Sequence, residues 1–206
     1  DHSRSSPELR SHSPAVWIAP VKRGLTACRS VLDDSAVNQA YYEFYFPQAA
    51  QLNPAVLHAY LARLRAGQLR KTHLFGGRYE NIYIDREDIP ELSGLIAFWA
   101  DSAAQVLQVD AEGLQCGFWF NHMRPGDVTT LHSHNDDDEL LSGVYYLKVP
   151  EDSGELVLNH DGRTMTIRPE SGKLVLFSAS DEHEVTRNMS QDERLSIGMN
   201  FGYRRQ

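Results

Sequence analysis

The chain has 206 residues, of which 41% are hydrophobic and 23% are charged, and its formal net charge is −8. This composition suits a globular protein with a sizeable core, and the surplus of acidic residues disfavours a nucleic-acid partner because a phosphate backbone would be repelled. No apolar run approaches the roughly 18 residues of a membrane span and no signal-peptide core is present, so we expect a cytoplasmic protein without a membrane partner. Cys28 and Cys116 are too few for a disulfide framework and are expected to be buried free thiols.

The first part of the chain alternates between irregular and ordered patterns. Residues 1–14 are rich in Ser, His and Pro, which predicts a flexible leader whose histidines are not ligands. An apolar pattern over residues 15–21 predicts a first strand, and residues 78–84 predict another. Residues 41–47 form an aromatic cluster, which we interpret as packing surface.

Two helices are predicted between these segments and the middle of the chain. The pair Asn53-Pro54 is typical of a helix start, with Asn as the cap and Pro in the first position, and Gly67 is the predicted stop. Pro90 is predicted to open a second helix, whose apolar side chains recur at helical spacing: Leu92, Leu95, Ile96, Trp99, Ala103 and Val106.

After Gly113 helical periodicity gives way to short β-type runs separated by Gly, Pro and Asp. Eight such runs are predicted as strands: 115–123, 129–134, 141–149, 154–159, 163–167, 173–177, 183–187 and 194–201. This spacing favours an all-β barrel or sandwich. We therefore predict one domain over residues 15–206, with helical support at about 50–110 and a β core at about 115–203.

Three histidines in the β-rich part form a candidate metal site. His132 and His134 are separated by one residue, and alternate side chains on a strand share a face, so both imidazoles could bind one ion. His183 begins a later strand and could return a third imidazole to the same end of the barrel. Three neutral nitrogen ligands favour a first-row transition metal over magnesium or calcium.

Arg194 and Ser196 form the second candidate group. The apolar residues Leu195, Ile197, Met199 and Phe201 alternate with them, so Arg194, Ser196, Gly198 and Asn200 should share the opposite, interior face. A buried arginine needs an anionic partner. A small diacid could provide it through a bidentate carboxylate, and a salt bridge to one of the chain's own acids is the equally weighted alternative.

The order of these motifs resembles that of the iron(II)- and 2-oxoglutarate-dependent oxygenases, in particular the small bacterial oxygenases related to prolyl hydroxylases. The resemblance covers roughly residues 118–201 and rests on motifs in a fixed order: His132-x-His134, Leu-Ser-Gly-Val-Tyr-Tyr-Leu at 141–147 with Pro150 and Ser153-Gly154 after it, Pro-x-Ser-Gly-x-Leu-Val-Leu-Phe-Ser at 169–178, His183, and Arg-Leu-Ser-Ile-Gly-Met-Asn at 194–200.

The resemblance implies a double-stranded β-helix, or jelly roll, that uses Fe(II), 2-oxoglutarate and dioxygen. It implies that His132 and His183 bind the iron, with His134 in the position of the second ligand. It further implies a group of residues that bind the cosubstrate: Arg194 on its distal carboxylate, Ser196 as a hydrogen-bonding helper, Asn121, and one of Tyr145 and Tyr146, of which we name Tyr145 while the sequence leaves the choice open.

The second ligand departs from the family's pattern, because most members place a carboxylate where this chain has His134. Either three histidines hold the iron, or a carboxylate from the acidic run 136–139 replaces His134. A halogenase is disfavoured, since those enzymes carry a small residue there and an imidazole leaves no room for chloride.

The sequence also leaves alternative functions open. The expected reaction is hydroxylation of an unactivated C–H bond in an amino acid, a peptide or a small metabolite. A cupin-type dioxygenase or isomerase that does not use 2-oxoglutarate ranks second, because Gly126, the two histidines and Glu139 resemble the first cupin motif, although Gly143 comes too early for it and Arg194 stays unexplained. A metal-free binding barrel ranks third, and the oligomeric state cannot be predicted.

Two substrate hypotheses follow from charged residues near the motifs. The acidic run 136–139 could recruit a cationic substrate, although such runs are usually solvated loops. Arg78 or Arg124 could equally recognise a substrate carboxylate.

Overall fold

The computed structural model describes residues 39–67, 69–134 and 138–205. Their strands are β1 (Tyr41–Tyr45), β2 (Arg70–Phe75), β3 (Arg78–Tyr83), β4 (Leu114–Met123), β5 (Thr129–His132), β6 (Glu139–Lys148), β7 (Leu156–His160), β8 (Arg163–Ile167), β9 (Lys173–Ser178), β10 (Glu182–Val185) and β11 (Arg194–Tyr203). The α-helices are α1 (Ala49–Ala66) and α2 (Leu92–Leu107), and two short 3-10 turns lie at Arg86–Asp88 and Ala111–Gly113.

The strands form two antiparallel sheets that face each other. The major sheet has the order β1-β9-β6-β11-β4-β3-β2, and the minor sheet has the order β5-β10-β7-β8. Consecutive strands such as β4 and β5, or β9 and β10, lie in different sheets, which is the winding of the predicted jelly roll. The prediction of a mainly β fold with N-terminal helices and a double-stranded β-helix core is confirmed.

Strand alternation divides the interior into two layers. On β6, Tyr145 packs into a core between the major sheet and the helices, whereas Tyr146 packs into a smaller core between the two sheets. On β11, the apolar residues Leu195, Ile197, Met199 and Phe201 belong to the helix-side core. The polar face of β11 therefore points between the sheets, as the alternation predicts.

Helix α1 begins earlier than predicted. It starts at Ala49, and Pro54 lies inside it instead of at its first position. Asn53 lies inside the helix and therefore does not cap it. Its side chain instead donates to the carbonyl oxygens of Tyr146 and Leu147 on β6. The helix ends as predicted at Gly67, which takes a left-handed conformation with φ 74°.

Helix α2 agrees more closely with its prediction. It begins at Leu92, two residues after Pro90, and its apolar stripe is buried against the major sheet at Leu92, Leu95, Ile96, Trp99 and Ala103. Helix α1 contacts β6 and α2 contacts β4. Both helices therefore cover the outer face of the sheet that carries Arg194.

Two strands were not predicted from the sequence. The aromatic segment Tyr41–Tyr45 is β1, which pairs with β9 at one edge of the major sheet, and Arg70–Phe75 is β2, which pairs with β3 at the other edge. The side chains of β2 are largely exposed, so the segment lacks the apolar alternation that identifies a strand.

Some predictions fall outside the described residues. These are the leader at 1–14, the strand at 15–21 and the state of Cys28, while Cys116 is a buried free cysteine as expected. The single-domain assignment stays a prediction. Among the helices that the structure describes, none has the length and apolar character needed to cross a bilayer.

Candidate functional site

Three imidazoles meet between the sheets at the ends of β5 and β10. His132 ends β5, His134 follows it, and His183 lies on β10 directly opposite His132 in the strand register. One ring nitrogen from each of them lies within 4.8 Å of the others. Within the described residues, the three histidines that the sequence selected thus form one group able to hold a metal ion.

Backbone carbonyl groups orient two of these rings. Nδ1 of His132 lies 2.6 Å from the carbonyl oxygen of Thr130, and Nδ1 of His183 lies 3.0 Å from that of Asp181. A carbonyl oxygen only accepts, so each Nδ1 carries the proton and Nε2 keeps its lone pair. Outer hydrogen bonds of this kind fix the tautomer and orientation of metal-binding histidines.

The electrostatics of the site favour neutral imidazoles. Burial, followed by the neighbouring His183 and His132, lowers the pKa of His134 to about 3. Burial and the nearby His132 lower the pKa of His183 to about 4. Both side chains are therefore neutral near pH 7, which is the state that binds a metal ion.

The described carboxylates of the acidic run are not part of the histidine group. Asp138 pairs with Arg205 at 3.2 Å and is strongly exposed. Glu139 accepts a hydrogen bond of 2.9 Å from Nδ2 of Asn200. The other two acids of the run, at positions 136 and 137, lie outside the described residues.

Arg194 lies in the same pocket as the histidines and is fully buried. Its Nη1 donates to the carbonyl oxygens of Gly154, at 2.6 Å, and Ser153, at 3.3 Å. Its Nε and Nη2 have no hydrogen-bond partner in the part of the chain that the structure describes. Burial lowers the pKa of this guanidinium.

Tyr146, and not Tyr145, is the tyrosine of the pocket. The guanidinium carbon of Arg194 lies 5.2 Å from the ring centre of Tyr146, and the Tyr146 hydroxyl has no partner among the described residues. Tyr145 points to the helices, where its hydroxyl donates to Oδ1 of Asn53 at 2.8 Å. The prediction that Tyr145 contacts the cosubstrate is therefore wrong, because strand alternation turns its ring to the opposite face of β6.

The two remaining predicted cosubstrate residues line the same pocket. Ser196 is buried beside Arg194 on the polar face of β11, opposite Asn121 in the register of β4. The Asn121 amide accepts from Nη1 of Arg78 and donates to Oγ1 of Thr129. One amide hydrogen and one lone pair are left for a ligand.

Sequence reasoning missed Trp119, which also lines the pocket. Its ring centre lies 5.6 Å from that of His134, and its indole covers Gly198, where a Cβ would lie 2.7 Å from indole atoms. Trp119 shares a strand face with Asn121, which the resemblance implied, so applying strand alternation to β4 from Asn121 would have found it.

A comparison of the sequence with protein families matches residues 118–202, from β4 to β11, to the 2OG-Fe(II) oxygenase superfamily. The matched stretch of the chain is a 2OG-Fe(II) oxygenase core. The chain is a 2-oxoglutarate-dependent oxygenase, and its cofactors are Fe(II), 2-oxoglutarate and dioxygen. No curated protein shows significant sequence similarity to the chain.

Solved structures of low sequence identity share the fold of this oxygenase. A prolyl-4-hydroxylase from Pseudomonas putida is 22% identical with a TM-score of 0.60, over 84% of this chain and 92% of that one. A Trichoplax adhaerens prolyl hydroxylase, in complex with a hypoxia inducible factor peptide fragment, is 16% identical with a TM-score of 0.60, over 80% and 84%. The α-ketoglutarate-dependent carbocyclase SnoK from nogalamycin biosynthesis is 14% identical with a TM-score of 0.63, over 80% of each chain.

The residues of the pocket fit the cofactors of the superfamily. Three imidazoles, two of them with the proton held on Nδ1, can bind a transition metal. The unpaired Nε and Nη2 of buried Arg194 suit a carboxylate of 2-oxoglutarate, because a guanidinium binds a carboxylate through two parallel hydrogen bonds.

Proposed function

We propose that this oxygenase hydroxylates an unactivated C–H bond of an amino acid, a peptide or a small metabolite. The observation that carries the proposal is the placement of three imidazoles and an incompletely paired, buried guanidinium in one pocket. The first group suits a metal and the second suits a dianionic cosubstrate. The Pseudomonas putida relative of the same fold is a prolyl-4-hydroxylase.

We assign the iron to His132, His134 and His183. Their ring nitrogens are close together, whereas the described acids Asp138 and Glu139 are engaged with Arg205 and Asn200. A third imidazole in place of the usual carboxylate leaves the metal with one more unit of positive charge. This charge would be balanced by the anionic cosubstrate, so we expect metal and 2-oxoglutarate to bind cooperatively.

Arg194 is assigned to the distal carboxylate of 2-oxoglutarate, assisted by Ser196, Tyr146 and Asn121. Hydrogen bonds orient this guanidinium, since its Nη1 donates to the carbonyl oxygens of Ser153 and Gly154. Its Nε and Nη2 are left available to donate to the carboxylate. The Tyr146 hydroxyl is buried, lacks a described partner and lies beside the guanidinium, so it can donate to the same carboxylate.

When bound, iron and 2-oxoglutarate supply the oxidation by dioxygen, in which the substrate gains a hydroxyl group and 2-oxoglutarate leaves as succinate and carbon dioxide. The chain's own residues bind and orient the cosubstrate and the substrate, and they exclude water from the pocket. Tyr146 and Phe177 from the major sheet and Leu156 from the minor sheet give the pocket an apolar wall between the sheets. The indole of Trp119 lines the pocket beside His134 and Gly198.

The substrate class is constrained by which charged groups are available. Arg78 does not fit the hypothesis of a substrate carboxylate, because its guanidinium already contacts four groups: Glu80, Asp127, Asn121 and the carbonyl oxygen of Val128. Within the described pocket lining, Arg194 is the only Lys or Arg side chain. We therefore propose a substrate whose recognised part is neutral or cationic, such as a peptide segment or an amino-acid side chain.

The proposal is tested by succinate formation. Purified protein loaded anaerobically with Fe(II) is given 2-oxoglutarate, dioxygen and a panel of proline-containing peptides, basic peptides and free amino acids, and each product is checked by mass spectrometry for a gain of one oxygen atom. Substrate-stimulated succinate formation with matching hydroxylation supports the proposal. Metal-dependent turnover that ignores 2-oxoglutarate would favour the cupin alternative.

A further inference from the structure

A buried carboxylate lies close to the histidines but is not among their ligands. Glu80 on β3 is only 4% exposed and precedes residues 118–202, the part of the chain that matches the superfamily. Its Oε1 accepts a hydrogen bond of 3.1 Å from the backbone N–H of Thr130, and its Oε2 accepts one of 3.3 Å from the Thr130 hydroxyl. Glu80 therefore binds the strand that carries His132.

Strand β5 needs such a partner because, among the described strands, it is paired on one side only. It is four residues long and ends the order of the minor sheet, where its one described neighbour is β10. The register between them contains two residue pairs and an irregularity. A short edge strand with a free row of backbone groups is a poor base for a metal ligand unless something fixes it.

The contacts of Glu80 continue directly to the ring of His132. Glu80 fixes Thr130 through its N–H and hydroxyl, and the carbonyl oxygen of Thr130 accepts from Nδ1 of His132 at 2.6 Å. The position of one residue on β5, Thr130, therefore decides where Nε2 of His132 points. The corresponding carbonyl for His183 belongs to Asp181, which lies beside the better-paired strand β10.

Arg78 offsets the electrostatic cost of burying Glu80 and links Glu80 to β4. Nη2 of Arg78 lies 3.2 Å from Oε1 of Glu80, and both side chains are largely buried. The same guanidinium donates to Asn121 and to the carbonyl oxygen of Val128, just before β5. A buried carboxylate paired and hydrogen-bonded in this way holds a defined geometry.

We propose that Glu80 is a positioning residue of the iron site, which aligns His132 by holding Thr130 on β5. The inference rests on the proposed ligand role of His132. It places one determinant of metal binding on the β2–β3 hairpin, before the region that defines the superfamily. The hairpin thus supports the metal centre in addition to forming one end of the major sheet.

The first test is anaerobic titration of the full chain with Co(II), followed by visible absorption. Removing a hydrogen-bond partner one shell away from a metal typically weakens binding by about 10- to 100-fold, and we expect this loss for Glu80→Ala. Glu80→Gln keeps an acceptor for the Thr130 N–H and should restore affinity to within about threefold. The double variant Glu80→Met with Arg78→Met leaves no unpaired buried charge and should fold while showing the same loss as Glu80→Ala.

The matched control is Val56→Ala, a fully buried position on α1. It should lower the melting temperature and leave the Co(II) affinity unchanged, which separates positioning from general destabilisation. An unchanged affinity in Glu80→Ala and in the double variant would overturn the proposal. An equal loss in Val56→Ala would overturn it as well.

A second readout does not need the metal. In metal-free protein labelled with ¹⁵N-histidine, the Nδ1 proton of His132 should give a downfield, slowly exchanging NMR signal that is present in the wild type and in Glu80→Gln and is lost in Glu80→Ala. A signal that survives in Glu80→Ala would contradict the proposal. This measurement decides the role of Glu80 even if the wild type fails to bind Co(II), an outcome that would instead contradict the proposed function.

Discussion

His132 and His183 are register partners on the antiparallel strands β5 and β10, and each points its Nδ1 at the carbonyl oxygen two residues before it. Residues i and i−2 of a strand share a face, so each ring folds back along its own strand. Their ring centres are 4.3 Å apart. The two rings therefore present Nε2 to the same space, and His134 reaches it from the residues after β5.

Replacement of His134 tests whether a third imidazole binds the metal. We expect His134→Ala to weaken Co(II) binding at least about 100-fold, since loss of a ligand should exceed the 10- to 100-fold effect of losing an outer partner. His134→Asp restores the carboxylate usual in the superfamily and should bind more tightly than His134→Ala.

The matched control for this series is His58→Ala, which removes an exposed histidine from α1. It should bind Co(II) like the wild type. Wild-type affinity in His134→Ala would refute the three-histidine site and leave a carboxylate of the run 136–139 as the second ligand.

Replacement of Arg194 should separate cosubstrate binding from metal binding. Losing one partner of a buried, hydrogen-bonded charge pair costs about 2–5 kcal/mol, so Arg194→Met should raise the KM for 2-oxoglutarate at least about 30-fold. Arg194→Lys keeps the charge but not the two parallel donors and should be intermediate. Co(II) titration should stay near wild type in both, as it should in the control Arg163→Met on the exposed face of β8. A loss of Co(II) binding in Arg194→Lys would count against this assignment.

The sequence predicts the eight strands of the β core better than β1 and β2, the two outer strands of the major sheet. Alternation on β6 and β11 and the turns between strands locate the eight core strands closely, because all of them except β5 have a face against an apolar layer. Strand β2 was missed because both its faces are largely exposed, and β1 was missed because its run of aromatic residues shows no alternation.

The site was predictable where function depends on residue type and not where it depends on geometry. His132, His134, His183 and Arg194 stand out by chemistry and spacing. The sequence could not choose between Tyr145 and Tyr146, because both faces of β6 are buried and alternation alone does not say which face meets the second sheet. Glu80 was missed because its contact with Thr130 joins strands of different sheets.

The two tyrosines of β6 should behave oppositely when each loses its hydroxyl. Tyr145→Phe removes the hydrogen bond to Asn53 and should lower the free energy of unfolding by about 1 kcal/mol with an unchanged KM for 2-oxoglutarate. Tyr146→Phe removes a hydroxyl without a described partner, so it should cost little stability and raise that KM several-fold. Urea unfolding and initial-rate kinetics on both variants provide the comparison. The opposite pattern would return Tyr145 to the cosubstrate site.

The metal-free protein should lose stability as the pH falls from about 6.5, where an unfolded histidine titrates. Burial lowers the pKa of His183 to about 4 and that of His134 to about 3 in the folded chain. Between these values the unfolded state binds more protons, so stability rises with pH, is complete above about 6.5, and is lost progressively toward the folded pKa values. The slope is at most about 1.4 kcal/mol per pH unit for each histidine.

Urea unfolding between pH 7 and pH 4.5 measures this slope. His183→Gln cannot titrate and should reduce the slope relative to the wild type, whereas His58→Gln on the exposed face of α1 should not. Equal slopes in His183→Gln and the wild type would show that His183 is not the group responsible.

Gly198 should control the position of Trp119 and, through it, the shape of the pocket beside His134. A Cβ at position 198 would lie 2.7 Å from Cε2 and Nε1 of Trp119, so Gly198→Ala must move the indole. Gly117 lies on the neighbouring strand β4, and a Cβ there would meet nothing within 4 Å, which makes Gly117→Ala the matched control. With 5-fluorotryptophan incorporated at the chain's three Trp positions, one ¹⁹F resonance should shift in Gly198→Ala and none should shift strongly in Gly117→Ala.

The kinetic effect of Gly198→Ala should be confined to the substrate. Because the indole neighbours His134 and not Arg194 by strand position, the KM for the hydroxylated substrate should change in Gly198→Ala while the KM for 2-oxoglutarate stays near wild type. A change confined to 2-oxoglutarate would place the cosubstrate, and not the substrate, against Trp119.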